Sequence, residues 1–283
     1  MKRFQVLPCA ALRPYIDRIW GWDYRGGAAL PLPALLPGTG AELYFHYRQP
    51  FSYTRGDGPP LACETGHLFC LRRDPLQLSA ARDLGFIAVR FKAGMLHRFT
   101  AIPGRELADR VLALDDLWER PGQALQRRLS YAATPAQCIL LIEDFLCAQL
   151  RSDGPDAVVE RAMEMLYRDG ATLTIQQLAE RLHLGRRQLE RRFLSVSGQT
   201  PAAMKSLARF QHTVRALMLD AAAAATDVAL AQGYFDQAHF IRNFRRYAGA
   251  APQCYLQGAR NKTHFYNTSR DDSGIMPAPD HYF

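Results

Sequence analysis

The sequence predicts an α+β protein: a β-rich, barrel-like N-terminal domain with flanking helices, followed by an all-α C-terminal domain with two helix-turn-helix motifs. Three observations predict this fold. Proline and glycine separate short apolar runs up to about residue 125, which is typical of strands and turns. From about Pro135 both residue types become rare, and apolar residues recur at helical spacing. A basic helix-turn-helix pattern then occurs twice.

The charge of the chain favours a polyanionic partner. The 283 residues are enough for two domains, and their formal net charge is +8. Between Asp156 and Lys262 there are 15 basic and nine acidic residues, so +6 of the +8 lies there. Clustered Lys and Arg side chains attract phosphate. No apolar run reaches the roughly 18 residues of a membrane-spanning helix, and the N-terminus lacks a secretory signal. We therefore expect a cytoplasmic protein without a membrane partner.

Catalytic and metal-binding patterns are missing from the sequence. Six scattered cysteines without a CxxC pair predict reduced thiols. A redox sensor built from Cys63, Cys70, Cys138 and Cys147 is less favoured than buried, inert thiols, because nothing nearby marks a reactive thiolate. No metal site, cofactor or enzymatic activity is expected.

Four strands are predicted in the N-terminal domain: Ile16–Asp23, Glu42–Tyr47, His67–Leu71 and Gly85–Phe91. The second strand has two faces with different side chains. One face carries Leu43, Phe45 and Tyr47, and the other, more polar face carries Glu42, Tyr44 and His46. Such a polar face suits either solvent or the lining of a polar cavity. Glu42, Tyr44 and His46 are therefore candidate effector-binding residues.

The C-terminal helices are predicted over Asp156–Asp169, Thr174–Leu182, Gly185–Ser195, Pro201–Asp220, Thr226–Ala231, Asp236–Tyr247 and Pro252–Gln257. Turn-forming residues at Ser152–Pro155 predict a domain junction. The domains are thus expected at residues 1–151 and 156–258, with residues 263–283 as a flexible tail.

The first helix-turn-helix motif runs from Thr174 to Phe193. Leu178 lies on the apolar face of its first helix, and Ala179 is small enough for the second helix to approach. The turn is His183-Leu184-Gly185, and Leu189 with Phe193 holds the second helix on the core. The opposite face carries long polar side chains that can reach base edges, namely Arg186, Arg187, Glu190 and Arg191.

The second motif repeats this pattern about fifty residues later, at Val228–Phe244. Its turn is one residue longer, and Asp236 is the expected N-cap. The projecting side chains are then Gln237, Ala238, His239 and Arg242. The helix Pro201–Asp220 between the motifs would span about 30 Å, close to the roughly 34 Å between major-groove openings on one face of DNA.

These residues resemble the DNA-binding domain of the AraC/XylS family. The resemblance is carried by Gly233-Tyr-Phe-Asp-Gln-Ala-His-Phe-Ile-Arg-Asn-Phe-Arg-Arg with Gly249-x-x-Pro252-x-x-Tyr255, and by Leu189-x-x-Arg192-Phe193 with Gly198-x-x-Pro201. Met204 and Thr213 depart from the pattern and are expected to affect packing. The resemblance implies that both exposed helical faces read bases, while Arg192, Arg245 and Arg246 contact phosphate.

The N-terminal half resembles the sensor domain of one AraC-like subgroup, through Leu12-Arg13-Pro14-Tyr15, Leu35-Leu36-Pro37 with Glu42-Leu43-Tyr44-Phe45, and Val89-Arg90-Phe91. Such domains bind an effector or mediate dimerisation. The expected partners are double-stranded DNA, a small-molecule effector and, as a further candidate, RNA polymerase. Both a monomer and a homodimer fit. The alternative is a cysteine-dependent DNA alkyl-repair enzyme, for which Cys70-Leu-Arg-Arg is the nearest motif.

Overall fold

The computed structural model describes residues 2–79, 81–152, 156–220 and 222–260. The predicted tail, residues 263–283, and residues 153–155 of the predicted junction lie outside these ranges. The strands come first in the chain: β1 (Lys2–Val6), β2 (Ile16–Leu30), β3 (Glu42–His46), β4 (Ser52–Arg55), β5 (Leu61–Ala62), β6 (Gly66–Phe69), β7 (Leu76–Leu78), β8 (Ala81–Phe91) and β9 (Val111–Ala113).

Apart from α1, which precedes β9, the helices follow the strands along the chain and cover most of its second half. Their bounds are α1 (Gly104–Leu107), α2 (Leu114–Ser130), α3 (Pro135–Gln149), α4 (Ala157–Asp169), α5 (Ile175–Arg181), α6 (Arg186–Ser197), α7 (Pro201–Leu219), α8 (Ala225–Ala231), α9 (Gln237–Ala248) and α10 (Pro252–Arg260). The α+β fold class is as predicted. Within the described ranges, no helix is both long and apolar enough to cross a bilayer.

The strands form two antiparallel sheets. The larger has the strand order β1-β2-β8-β3-β6-β9, and the smaller has the order β5-β4-β7. Both sheets are open, so the described strands do not close into a barrel. The small sheet nevertheless covers one face of the large one, because Tyr53 and Leu78 of the small sheet share a buried cluster with Trp20, Tyr44 and Phe86 of the large sheet.

Successive side chains of strand β3 point alternately into two different cores. Leu43 and Phe45 pack in a cluster that includes Trp118 of α2 and Ile142 of α3. Tyr44 points into the aromatic cluster between the sheets. The predicted alternation is therefore present, but every residue of β3 is buried, so neither face of the strand meets solvent.

The two helix-turn-helix regions also have separate cores. The first collects residues of α4, α5 and α6 around Leu189 and Phe193. The second collects residues of α8, α9 and α10 around Phe240 and Phe244. Helix α7 joins the cores, because its Met204 lies in the first and the predicted stripe of Leu207, Phe210, Val214 and Leu217 lies in the second. The burial of this stripe confirms the sequence prediction.

Candidate nucleic-acid interface

The turns of the two helix-turn-helix motifs have the same backbone geometry. In the first, Leu184 N donates to Ala179 O over 3.0 Å, and in the second Tyr234 N donates to Ala229 O over 3.1 Å. The residue before each donor is left-handed, with φ of 53° at His183 and 81° at Gly233. The sequence repeat is therefore also a structural repeat.

The second helices of the two motifs match in length and ending. Both α6 and α9 have 12 residues, and they end at Gly198 and Gly249 with φ of 74° and 73°. Asp236 caps α9, since its carboxylate accepts from His239 N over 2.6 Å, as the sequence predicts. The extra residue of the second turn is Phe235, whose side chain is 87% exposed. Sequence reasoning missed Phe235, because an aromatic residue in a motif normally predicts core.

Helix α6 buries its apolar face and leaves its basic face outside. Leu189 and Phe193 are fully buried. On the opposite face Arg186, Arg187 and Arg191 are exposed and Glu190 is half-buried. Arg186 Nε lies 3.0 Å from Glu190 Oε1, an ion pair between neighbouring turns of the helix. Three arginines with one acidic neighbour leave this face positively charged.

Helix α9 is arranged in the same way. Phe240 and Phe244 are buried, whereas Gln237, Ala238 and Arg242 are exposed. His239 is half-buried, and its Nδ1 accepts from Phe235 N over 3.4 Å. That contact leaves Nε2 as the ring nitrogen that can donate to a ligand in the neutral imidazole. This face carries one fixed positive charge and several hydrogen-bonding groups.

Helix α7 is fastened to both motifs by its basic side chains. Lys205 Nζ donates to Leu173 O over 2.7 Å, just before the first motif. Arg209 Nη1 donates to Gly233 O over 2.7 Å in the second turn, and its guanidinium lies 4.7 Å from the centre of the Tyr234 ring. These contacts depend on tertiary structure, so the sequence shows Lys205 and Arg209 only as two charges among many.

Comparison with known proteins supports this arrangement. The family profile described as a helix-turn-helix domain matches residues 178–258, which include the second motif and the first motif from Leu178 onward. A second profile, described as a domain of unknown function (DUF6597), matches residues 4–113. The chain matches no curated relative.

Solved structures show weak similarity. ToxT from Vibrio cholerae is 9% identical, with 90% of this chain and 97% of that chain covered and a TM-score of 0.48. ToxT from strain SCE256 with a bound unsaturated fatty acid is 11% identical, with 86% and 95% covered and a TM-score of 0.45. The C-terminal domain of AraT, a response regulator from Geobacillus stearothermophilus, is 21% identical, with 41% and 93% covered and a TM-score of 0.35.

The profile match covers a duplicated motif whose turns, caps and second helices repeat in the structure. Residues 178–258 thus belong to the helix-turn-helix domain family. The chain is a DNA-binding transcriptional regulator with a helix-turn-helix C-terminal region. The two departures from the AraC/XylS sequence pattern, Met204 and Thr213, are 1% and 0% exposed and hence belong to the packing.

Arg192 of the helix-turn-helix region has an intramolecular partner. Its Nε and Nη2 atoms each lie 2.6 Å from an oxygen of Asp156, the N-cap of α4. Burial alone would raise the pKa of Asp156, but the hydrogen bonds from Arg192 and from the Val159 amide outweigh it and hold the pKa below its usual range. Arg245 and Arg246, at the end of α9, are exposed. The phosphate contacts predicted for these three arginines stay predictions.

The candidate effector residues lie together in the β-rich part of this regulator. Glu42 Oε1 lies 3.1 Å from Arg90 Nη1, and Tyr44 donates to Glu42 Oε2 over 3.4 Å. The His46 ring stacks 5.3 Å from that of His67. Burial, followed by the neighbouring His67, holds the pKa of His46 well below its usual range, so its imidazole is neutral at pH 7. Effector binding by Glu42, Tyr44 and His46 stays a prediction.

The alternative of a DNA alkyl-repair enzyme gains no support from Cys70. This residue is fully buried. Burial raises the pKa of its thiol to about 12, although the charges of Arg72, Arg110 and Arg55 act in the opposite direction. An acceptor thiol needs a lowered pKa and access to its substrate. Among the described residues, no group of three or more potential metal ligands is found either.

Proposed function

We propose that this regulator binds operator DNA with α6 and α9 in successive major grooves on one face of the duplex. The observation that carries the proposal is the structural repeat: two 12-residue helices with buried apolar faces and exposed polar faces, joined through α7. Helix α7 has 19 residues, or about 28 Å at 1.5 Å per residue. Major grooves on one face recur about every 34 Å, a separation that two helices at the ends of such a rod can reach.

Individual roles follow from exposure and charge. We assign base contacts to the exposed faces of both helices, with Arg187, Arg191 and Gln237 as the principal residues, since Arg and Gln make bidentate contacts with guanine and adenine. Arg245 and Arg246 are assigned to phosphate, which fixes position without reading sequence. Arg192 would reach phosphate only by giving up two bonds of 2.6 Å to Asp156, so we assign it to holding α6 against α4.

The N-terminal part is assigned to control of DNA binding by a small-molecule effector. It contacts three helices of the C-terminal part. Glu160 of α4 accepts from His97 Nε2 over 2.7 Å and from Arg98 Nε over 2.5 Å. Thr39 Oγ1 donates to Gln211 Oε1 of α7 over 2.8 Å. These contacts make the position of α4 and α7 sensitive to the shape of the β-rich part.

The third contact is backbone against backbone. A Cβ atom added at Gly104 of α1 would lie 2.2 Å from Val196 O, near the end of α6. Since only glycine permits this approach, α1 directly supports a helix that we assign to DNA. A shift of α1 on effector binding would therefore move α6 relative to α9, which is a physical route from effector to DNA affinity.

The remaining partners follow from this assignment. One chain carries both DNA-reading helices, so a monomer suffices for two grooves, and a homodimer would double the site. RNA polymerase is the further partner through which a bound regulator would act. Binding to a bacterial-type promoter places the protein in the cytoplasm.

The test uses full-length protein and a duplex selected from random DNA for tight binding. The double variant Arg191→Ala with Arg242→Ala removes one exposed arginine from each reading face. We expect it to lose about 1 to 3 kcal/mol per arginine for that duplex. The matched control, Arg161→Ala with Arg168→Ala, removes the same charge from the exposed face of α4 and should keep sequence discrimination. Retention of specific binding by the Arg191/Arg242 variant, or equal losses in both variants, would overturn the proposal.

A further inference from the structure

Two cysteines that are far apart in sequence lie next to each other in space. The Sγ atoms of Cys9 and Cys147 are 3.9 Å apart, across 138 positions of the chain. Cys9 lies between β1 and β2, and Cys147 lies in the last turn of α3. Cys9 N donates to Glu143 Oε1 over 2.7 Å, which holds the Cys9 segment against α3. A disulfide needs an S–S distance of about 2.05 Å, so a displacement of about 2 Å would bring the sulfurs into bonding range.

This pair is accessible to small reagents, unlike most of the other cysteines. Cys147 is exposed and Cys9 is half-buried, whereas Cys63, Cys70 and Cys138 are buried. Cys254 is exposed as well, on α10. The sequence interpretation of Cys147 as a buried thiol is therefore wrong, because the exposure of this residue depends on how α3 packs.

We propose that Cys9 and Cys147 form a reversible disulfide by exchange with a low-molecular-weight disulfide such as oxidised glutathione. The exposed Cys147 thiolate attacks one sulfur of the reagent, and one glutathione thiolate leaves. The Cys9 thiolate then attacks Cys147 Sγ in the mixed disulfide, and the second glutathione leaves. The protein loses two protons and two electrons, and the oxidised glutathione becomes two glutathione thiols.

The surroundings of the two cysteines predict how the rate of this exchange depends on pH and how the disulfide changes the stability of the protein. Burial, the contact with Cys9 and the charges of Glu143 and Asp144 raise the pKa of Cys147 to about 11. The thiolate is scarce at pH 7, so the exchange should accelerate as the pH rises. The new bond would close a loop of 138 positions, and a long loop restricts the unfolded chain strongly, so the oxidised form should melt at a higher temperature.

The position of the bond links it to the C-terminal part. Four residues after Cys147, Arg151 N donates to Arg98 O over 2.8 Å, and Arg98 is bound to Glu160 of α4. A disulfide at Cys147 would fix the end of the helix that leads to this contact.

The test treats reduced full-length protein with oxidised glutathione at about pH 8, close to the ordinary pKa of a thiol. In Cys254→Ser, which lacks the exposed thiol outside the pair, intact mass should show the loss of two hydrogens. Peptide mapping should join residue 9 to residue 147 in this variant and in the wild type. Cys9→Ser should stop at the glutathione adduct on Cys147. Dithiothreitol should reverse the change and the rise in Tm. Adducts on both cysteines of the wild type without an internal bond would overturn the proposal, as would an absence of reaction.

An independent observation concerns Phe235, the extra residue in the second turn. Its side chain is 87% exposed although Asp236 and His239 hold the backbone around it. It directly precedes Asp236, the N-cap of α9, and lies two positions from Gln237. Phe235 is thus a large apolar side chain in water at the start of a basic helix. Its burial against DNA would lower the free energy of the complex.

We infer that the Phe235 ring contacts a thymine methyl group, because this methyl is the apolar feature that base edges offer in the major groove. The inference rests on the proposed DNA-binding function and adds a residue that determines specificity. With such a contact, binding affinity would depend on a thymine at the operator position that faces the start of α9.

The test replaces each thymine of the selected duplex by uracil, which removes only the methyl group. One replacement should weaken wild-type binding several-fold and leave Phe235→Ser unaffected, which a double-mutant cycle reports as coupling. Tyr131→Ser is the matched control, since Tyr131 is 88% exposed and follows α2. It should keep the wild-type response to uracil. Equal responses of the wild type and Phe235→Ser at every position would refute the contact, whereas absence of any specific duplex would refute the proposed function itself.

Discussion

We expect the ion pair between Asp156 and Arg192 to stabilise the fold without contributing a phosphate contact to DNA binding. Asp156 accepts from the Val159 amide over 3.1 Å as the N-cap of α4, and it accepts twice from Arg192. The side chain of Asp156 is only 10% exposed. Asp156→Ala removes the cap and both charged bonds, so we expect a loss of about 1 to 3 kcal/mol in the free energy of unfolding.

Arg192→Ala should destabilise the protein in the same direction but less, because the cap of α4 remains. Urea unfolding followed by circular dichroism measures both changes at constant m. Asp169→Ala is the matched control: Asp169 pairs with its neighbour Arg168 at the surface, so its loss should leave the urea midpoint unchanged.

DNA binding then separates the two roles of Arg192. A phosphate contact adds about 0.9 to the slope of log K against log salt concentration. We expect Arg192→Ala to keep the wild-type slope, whereas Arg246→Ala should lower it by about 0.9. A lowered slope for Arg192→Ala together with an unchanged urea midpoint would refute this reasoning and favour the phosphate contact that the family resemblance implies.

Two further predictions concern contacts that position the helices. Burial alone would raise the pKa of Glu160, but hydrogen bonds, chiefly from Arg98, hold it below its usual value. Its stabilisation is therefore present above the unfolded pKa of about 4.3 and lost as the pH falls through the folded pKa. Urea midpoints should fall more steeply in acid for the wild type than for Glu160→Gln, and parallel curves would contradict this. Arg209→Met loses the hydrogen bond to Gly233 O, so it should lower the free energy of unfolding by about 2 to 3 kcal/mol and weaken DNA binding. The control Arg215→Met, on the same helix, should change neither quantity. Equal urea midpoints for the two variants would count against the prediction.

The helix-turn-helix regions could be predicted because their signals are local. A capping residue such as Thr174 or Asp236 satisfies amides three residues away, and apolar residues four apart define the buried face. The sequence therefore contains most of the information about which side of α6 and α9 is exposed.

The contacts that refine the site are not local, and sequence reasoning missed them. Arg192 meets a carboxylate 36 positions away, and the pattern around Arg192 does not differ from that of a solvent-facing arginine. The burial of Tyr44 depends on the small sheet, whose short strands, such as Leu61–Ala62, are too brief for a periodic signal. The features that could be predicted depend on residues close together in the chain, whereas the features that were missed depend on contacts between distant residues.

The central claim is that α6 and α9 occupy two major grooves on one face of DNA. Methylation interference on the selected duplex with full-length protein tests it directly, because guanine N7 lies in the major groove. We expect two interfering patches about 10 to 10.5 base pairs apart, with Arg187→Ala erasing one patch and Arg242→Ala weakening the other. A single patch, or two patches on opposite faces of the duplex, would contradict the account.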